Sequence, residues 1–220
     1  CSSDLSNLTF VNDELIEFCD KNDIYISTSL DGPEDIHNKN RPRPNKDGYI
    51  KTIQGIKKIQ NSLGFNKVSA LMTTTVDSLE RPREIIDEYV NQNLHSIFLR
   101  PLSPYGFAIK TKQTEKYNID NWMEFYREGL RYIIDLNKAG YFMVEQYTAI
   151  ILKKIFDPAN PGYVDLQSPA GIGISAVVYN YDGDVYASDE ARMLKEMGDE
   201  KFKLGNVLTN NYNEIFGSDI

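Results

Sequence analysis

Hydrophobic residues recur with two different periods along the chain, and these periods predict alternating strands and helices. Alternating β-branched positions favour a strand at Ile24–Leu30, and apolar runs favour two more at Val68–Val76 and Ser96–Leu102. Between them, apolar residues every three or four positions favour helices at Tyr49–Leu63 and Arg83–Gln92. Strands separated by helices are typical of a parallel sheet with crossover helices, so an α/β fold is predicted.

The segments before and after this strand–helix alternation add three predicted helices, and two prolines then end the helical spacing. The helical period predicts further helices at Asn12–Asp20, Asp120–Lys138 and Val144–Phe156. Pro158 and Pro161 break the pattern after the last of these. We therefore expect one domain over residues 1–157 and a second region over residues 158–220.

The second region has the pattern of a β-hairpin. Apolar residues at Ile172–Asn180 and Val185–Ser188 flank the dipeptide Asp182-Gly183, which favours a tight turn between antiparallel strands. Two short helices are predicted after the hairpin, so this region is expected to be α+β.

Composition and charge narrow the class of protein. The chain has 220 residues, of which 41% are hydrophobic and 25% charged, and its formal net charge is -8. An acidic chain is repelled by the phosphate backbone, so no nucleic-acid partner is expected. Because no run of about 18 apolar residues and no signal peptide is visible, we expect no membrane span and a cytoplasmic location. The opening CSSDL, without an initiator Met, is typical of a fragment of a longer protein.

Metal-ligating residues are few. The chain has two cysteines, Cys1 and Cys19, and two histidines, His37 and His95. They form no CxxC pair and no Cys/His cluster, so the chain is not expected to supply a conventional zinc or iron–sulfur site by itself. Cys19 lies on the apolar face of a predicted helix and is expected to be a core residue.

Each of the three predicted strands ends in polar residues, at the end of the sheet where parallel α/β folds form their ligand sites. They are Ser29 and Asp31, Thr73 and Thr74, and Arg100. Ser29 and Asp31 also suit an ordinary turn, and the threonines suit the end of any strand. Arg100 is more specific, because an arginine within an apolar strand must reach solvent, a carboxylate or an anionic ligand.

Several stretches together resemble radical S-adenosylmethionine (SAM) enzymes of the SPASM type. SSDLSNLTF, TSLDG and IHNKNR resemble the middle of the barrel, where the family typically has TNG-T-L, S-x-DG and H-x-x-R. GIGISAVVYNYDGDVYAS and FKLGNVLTNNYNEIF resemble the SPASM extension. SALMTTT and FLRPLSPYGFA are most similar to the peptide maturases of the His-Xaa-Ser system, which are related to anaerobic sulfatase-maturating enzymes.

The resemblance implies a fold and an activity. The fold is the C-terminal half of a partial (β/α)6 TIM-like barrel, followed by a small SPASM-like α+β region with a β-hairpin. The activity is modification of a ribosomally made peptide or protein by a 5′-deoxyadenosyl radical. The full-length parent would use SAM and a [4Fe-4S] cluster, whereas this fragment alone is expected to bind neither and to be inactive.

The resemblance also implies roles for particular residues. Ser29 would contact the ribose of SAM, with Asp31 and Gly32 shaping the turn. The strand ends around Thr73 and Thr74, and around Arg100 and Leu102, would flank the methionine and adenine moieties.

The chain departs from the family pattern at the metal ligands. The CxxxCxxC loop is absent, and Cys1 stands at a strand end rather than at a cluster-ligand position. Ala170 and Ser188 occupy positions where the SPASM extension often has cysteines. We therefore expect the hairpin to bind no auxiliary cluster and to act as a peptide-substrate platform or a structural cap.

Two other functions are compatible with the same residues. One is a non-catalytic α/β module that binds a peptide by strand addition at the hairpin edge. The other is an unrelated TIM-type barrel enzyme that uses Asp31 and Arg100 on a small anionic substrate.

Overall fold

The chain folds into two compact units in a computed structural model. The structure describes residues 7–103, 116–158, 162–163, 168–174 and 176–217, and the backbone of residues 2–5. The first unit contains the described residues up to Leu102 together with Lys116–Ile151. The second contains Ser103 and the described residues from Leu152 onward.

The first unit alternates strands and helices, which confirms the predicted α/β class. Its described elements are β1 (Ser2–Leu5), α1 (Asp13–Lys21), β2 (Ile24–Ser29), α2 (Glu34–Asn40), α3 (Gly48–Leu63), β3 (Val68–Leu71), α4 (Pro82–Asn91), β4 (Ser96–Ile97), α5 (Ile119–Lys138), β5 (Val144–Glu145) and the beginning of α6 (Gln146–Phe156). None of the helices in the described ranges combines the length and the apolar character that crossing a membrane requires.

The strands form two parallel ladders. One sheet has the order β1-β2-β3, and its register pairs Ser27 with Ser69 and Ser29 with Leu71. In the second ladder β4 pairs in parallel with β5. The described residues do not join the two ladders into a closed barrel, so the partial (β/α)6 barrel stays a prediction.

Local signals in the sequence explain where the helices begin and end. Asn12 caps α1, because its side chain accepts a hydrogen bond from the Leu15 N–H at 2.8 Å. Gly64 ends α3 with a φ of 103°, a backbone conformation that L side chains rarely adopt.

The two faces of the β1-β2-β3 sheet differ in polarity. Ile26, Val68 and Ala70 are buried among the helices of the hydrophobic core. Their neighbours in the strands point to the opposite face, where Ser69 and Leu71 are exposed. The core also contains Trp122, Phe125 and Cys19, and the burial of Cys19 confirms its prediction as a core residue. The polar face is therefore the side from which a ligand can reach the sheet.

Two strand predictions and one helix prediction differ from the structure at their ends. The run predicted at Val68–Val76 pairs only as far as Leu71, and the one at Ser96–Leu102 pairs only at Ser96–Ile97. The residues after these paired segments form hydrogen bonds between loops instead: the Thr73 N–H donates to Asp31, and the Thr74 hydroxyl donates to the Arg100 carbonyl. Val144 and Glu145, predicted as helix, form β5 instead, and α6 begins after them.

The second unit contains the predicted hairpin. Its described elements are β6 (Val178–Tyr179), β7 (Asp184–Tyr186), α7 (Asp189–Lys195), β8 (Lys203–Asn206) and α8 (Tyr212–Phe216). The three strands form an antiparallel sheet in the order β6-β7-β8, and β8 was not predicted. Ser188 caps α7 by accepting a hydrogen bond from the Ala191 N–H at 3.2 Å.

A buried carboxylate stabilises this second sheet. Asp184 accepts hydrogen bonds from Lys195 (3.0 Å) and from Asn206 (2.8 Å), and it pairs with Lys203 (2.7 Å). The hydrogen bonds from Lys203 and Asn206 hold the pKa of Asp184 well below its ordinary value. The cations on β8 and α7 are thereby fixed on one carboxylate of β7.

Gly32 should be more sensitive to substitution than Gly64, although both have positive φ values. A Cβ at Gly32 would lie 2.8 Å from Cγ1 of the buried Ile85, whereas no described atom lies within 4 Å of a Cβ at Gly64. We expect Gly32→Ala to lower the free energy of unfolding by about 3 kcal/mol and Gly64→Ala by about 1 kcal/mol. Urea titration of both variants measures the difference, and equal losses would contradict the close packing at Gly32.

Candidate functional site

The carboxyl ends of β2 and β3 lie side by side because the two strands are parallel. Ser29 is the last residue of β2 and pairs with Leu71, the last residue of β3. The Leu30 N–H extends the ladder by donating to the Leu71 carbonyl at 3.0 Å. Asp31 and Thr73 follow just beyond this last pair.

Asp31 links the ends of both strands to Arg41. Its buried side chain, with no exposed surface, accepts hydrogen bonds from Arg41 Nε at 2.8 Å and Arg41 Nη2 at 3.2 Å. The backbone N–H of Thr73 donates to the same carboxylate at 2.8 Å. A buried carboxylate is stable only when it is paired and hydrogen bonded, and a guanidinium fork is among the strongest partners. Asp31 therefore connects the carboxyl ends of β2 and β3 to each other and to Arg41 through the hydrogen bonds of its buried carboxylate.

Thr73 remains accessible beside this ion pair. It is exposed, and its Oγ1 accepts a hydrogen bond from Arg41 Nη2 at 3.3 Å. Because a hydroxyl both accepts and donates, the hydrogen of Thr73 stays available to a further acceptor.

The third strand end is connected through Thr74. The buried Thr74 hydroxyl donates to the Arg100 carbonyl at 2.7 Å. The exposed Arg100 guanidinium lies 5.8 Å from the centre of the Phe98 ring, and no described carboxylate forms an ion pair with it. Leu102 is half-buried, and its N–H donates to the Tyr117 hydroxyl at 3.3 Å.

Ser29 lines a small polar cavity. The cavity has a volume of about 240 Å³ and is lined by Asn7, Thr9, Ser29, His37, Arg41, Pro42, Arg43, Gly48 and Thr52. The described lining residues include two arginines and no carboxylate, although the chain as a whole is acidic. The cavity is smaller than pockets that enclose a whole cofactor, which are roughly 300–1,000 Å³. It therefore suits one anionic or hydroxyl-bearing group of a larger ligand.

The structure brings the predicted residues to one edge in two connected groups. Asp31 and Thr73 share a direct hydrogen bond, and Thr74 bonds to Arg100. Ser29 lies two residues before Asp31, and Leu102 lies two residues after Arg100. Cys1 lies outside the described residues.

Arg41 and His37 are site residues that the sequence reasoning did not select. Both belong to the stretch IHNKNR that was compared with the H-x-x-R motif. Reading that motif as the partner of the preceding Asp-Gly pair would have indicated the Asp31–Arg41 ion pair. His37 is buried within α2.

His37 is held neutral beside this ion pair. Its Nδ1 accepts a hydrogen bond from the Asp31 N–H at 3.4 Å, which requires an unprotonated nitrogen. Burial lowers the pKa of His37, the nearby Asp31 carboxylate opposes this effect, and Arg41 adds to it. His37 therefore acts here as a hydrogen-bond acceptor and not as a cation.

The described residues do not fit an iron–sulfur cluster. They contain no group of three or more His, Cys, Asp or Glu side chains that could hold a metal ion. With two cysteines in the whole sequence, the chain also has fewer thiolates than the three of a CxxxCxxC loop.

Two proteins are similar to this chain in sequence. An uncharacterized protein of Methanothermobacter thermautotrophicus is 31% identical over 131 residues, which are 59% of this chain and 45% of that protein. An uncharacterized protein of Synechocystis sp. is 24% identical over 214 residues, which are 96% of this chain and 51% of that protein. No family model matches the chain. The chain thus spans about half the length of the curated relatives it matches.

Solved structures of anSMEcpe have the same fold over almost the whole chain. Native anSMEcpe with bound AdoMet (S-adenosylmethionine) gives a TM-score of 0.73 at 16% identity, covering 99% of this chain and 57% of that one. Native anSMEcpe with bound AdoMet and the Cp18Cys peptide gives 0.73 at 18% identity. At this identity the likeness defines the class of fold alone: an α/β chain with the fold of about half of anSMEcpe.

Loss of the Asp31 carboxylate should destabilise the chain far more than loss of an exposed one. In Asp31→Asn the new amide group would face the Arg41 guanidinium and the Thr73 N–H, and we expect a loss of about 3–5 kcal/mol. Asp135, whose ion pair with Lys138 is 69% and 74% exposed, is a matched control. Asp135→Asn should cost less than about 0.5 kcal/mol. Chemical unfolding of both variants tests this, and losses of similar size would contradict the role of Asp31.

Stability should fall with acidity in a window set by His37. Its folded-state pKa lies below the ordinary value of 6.5, so at pH values below 6.5 the unfolded chain binds more protons than the folded one. The free energy of unfolding should decrease as the pH falls through this window. In His37→Asn the Oδ1 atom can replace Nδ1 as acceptor, so the variant should lose part of this slope below pH 6.5. An unchanged slope would show that another group titrates.

Proposed function

We propose that this chain is part of a radical SAM enzyme that modifies a ribosomally made peptide or protein. The observation that carries the proposal is the strand-end edge, where hydrogen bonds connect the tips of β2, β3 and β4 through Asp31, Thr73, Thr74 and Arg100. The proposal is supported by the shared fold with anSMEcpe, which was solved with AdoMet and with peptides. More specifically, we propose that the parent protein is a peptide maturase of the His-Xaa-Ser system.

The side chains at this edge fit SAM in two different roles. Ser29 and Thr73 offer hydroxyls to the ribose and the methionine moiety, and Arg100 and Leu102 flank the methionine and adenine moieties. The positive charge of Arg100, Arg41 and Arg43 attracts the carboxylate of SAM to this edge. Asp31 and Thr74 are buried in hydrogen bonds of their own, so they hold the edge in shape.

The rest of the parent protein would supply the [4Fe-4S] cluster. In the parent protein, one electron from the reduced cluster would cleave SAM into methionine and a 5′-deoxyadenosyl radical, which would supply the hydrogen abstraction from the peptide. The residues of this chain bind and orient SAM and exclude water from one side of it. In this proposal residues 1–157 belong to the barrel and residues 158–220 form the SPASM-like region.

A non-catalytic peptide-binding module is a second candidate, and one observation favours it. Among the described residues, β6 pairs only with β7, so its outer edge is open for strand addition. Tyr179 on this strand is 63% exposed, and Tyr181 in the following turn is 94% exposed. The parent sequence separates the two candidates, because a radical enzyme requires a CxxxCxxC loop upstream and a binding module does not.

The direct test uses the complete parent protein. After anaerobic reconstitution with iron and sulfide and reduction, we expect it to convert SAM to 5′-deoxyadenosine, measured by liquid chromatography with mass spectrometry. A parent protein that binds SAM but forms no 5′-deoxyadenosine would contradict the radical chemistry. One that does not bind SAM at all would leave the binding module as the better account.

Ser29 should contribute to SAM affinity in the parent protein. Ser29→Ala removes a hydroxyl at the end of β2 without filling the cavity, so we expect the Kd for SAM to rise about fivefold. Ser62→Ala on the exposed face of α3 is the matched control and should leave the Kd unchanged. Isothermal titration calorimetry gives both values. An unchanged Kd in Ser29→Ala would remove Ser29 from the proposed site.

A further inference from the structure

Glu145 is a buried carboxylate at the end of β5 that accepts four hydrogen bonds. Its Oε1 accepts from the backbone N–H groups of Leu99 at 3.1 Å and Tyr147 at 3.2 Å. Its Oε2 accepts from the Thr148 N–H at 2.6 Å and the Tyr126 hydroxyl at 2.8 Å. Because Tyr147 and Thr148 belong to the first turn of α6, the carboxylate also satisfies the amino end of this helix.

These bonds fix the backbone immediately before Arg100. Glu145 holds the N–H of Leu99, and the indole Nε1 of Trp122 donates to the Leu99 carbonyl at 3.3 Å. On the opposite side, the Thr74 hydroxyl holds the carbonyl of Arg100 at 2.7 Å. The exposed guanidinium of Arg100 thus extends from a backbone segment with few remaining degrees of freedom.

Glu145 has a counterpart at the other end of the edge. Asp31 is buried just past the end of β2, and like Glu145 it accepts a hydrogen bond from a backbone N–H beyond a neighbouring strand, that of Thr73. Asp31 stabilises its own cation, Arg41, whereas the described part of the chain gives Arg100 no carboxylate partner. The carboxylate of Glu145 bonds to the backbone and to Tyr126, so the charge of Arg100 stays available to a ligand.

We propose that Glu145 is a positioning residue that sets Arg100 for the anionic carboxylate of SAM. The inference rests on the proposed function, because it assumes that SAM binds at this edge. In Glu145→Gln, an amide N–H group must replace one of two oxygens that each accept two hydrogen bonds. The Leu99 backbone then shifts, and Arg100 loses its favourable position.

The test is a double-mutant cycle on SAM binding by the complete parent protein, measured by calorimetry. We expect Glu145→Gln to raise the Kd about fivefold and Arg100→Ala to raise it about tenfold. If Glu145 acts through Arg100, the double variant should resemble Arg100→Ala alone instead of showing the product of about fiftyfold. Amide hydrogen exchange at Leu99 should be faster in Glu145→Gln even without SAM.

Two further variants separate positioning from general destabilisation. Glu88→Gln alters another buried carboxylate, which accepts hydrogen bonds from Tyr49 and Gln92, and it should leave the Kd unchanged. Glu145→Asp keeps the charge but shortens the side chain. It replaces Glu145→Gln in the double-mutant cycle with Arg100→Ala if Glu145→Gln does not fold.

The outcomes distinguish this inference from the function on which it rests. If wild-type protein binds SAM and the cycle is multiplicative, or Arg100→Ala has no effect, Glu145 does not act through Arg100. If Glu88→Gln weakens SAM binding as much as Glu145→Gln does, the effect is general destabilisation. If wild-type protein does not bind SAM, the proposed function fails, and this inference fails with it.

Discussion

The ion pair between Asp31 and Arg41 is the interaction on which the candidate site depends. Parallel strands leave polar backbone groups unpaired where they separate, and these groups need partners that move with both strands. The Asp31 carboxylate supplies such a partner by accepting the Thr73 N–H while its charge is matched by the guanidinium. With this carboxylate in place, the end of β2 stays linked to the backbone of Thr73, whose side chain is exposed.

The same physical solution recurs elsewhere in the chain. Glu145 connects the segment after β4 to α5 and α6 within the first unit, and Asp184 connects β7 to two lysines within the second. In each case a buried carboxylate is fully hydrogen bonded and the polar groups around it are fixed. The hydroxyls and the arginine that we propose to face SAM are therefore distinct from the groups that maintain the shape of the first unit.

Much of the fold could be predicted, because the spacing of the hydrophobic residues along the chain matches the positions that are buried in the structure. The isoleucines of α3 and the alternation of β2 specify these elements locally, and Gly64 and Asn12 mark helix ends. The pairing of Asp31 with Arg41 was not predicted, since ten residues and a helix separate them and only the tertiary structure brings them together. Glu145 was missed for a related reason. The apolar residues around Glu145 recur with the spacing of a helix, so the sequence predicts a helix there. The hydrogen bonds of its side chain to backbone N–H groups depend on the tertiary structure, which this spacing does not reveal.

A crystal structure of the complete parent protein with SAM tests the central claim most directly. The account predicts that SAM lies across the ends of β2, β3 and β4, with its polar groups within hydrogen-bond distance of Ser29 and Thr73 and its carboxylate on the side of Arg100. The Asp31–Arg41 ion pair should remain intact in that complex. SAM bound at another face, or a structure in which Ser29, Thr73 and Arg100 point away from one another, would contradict it.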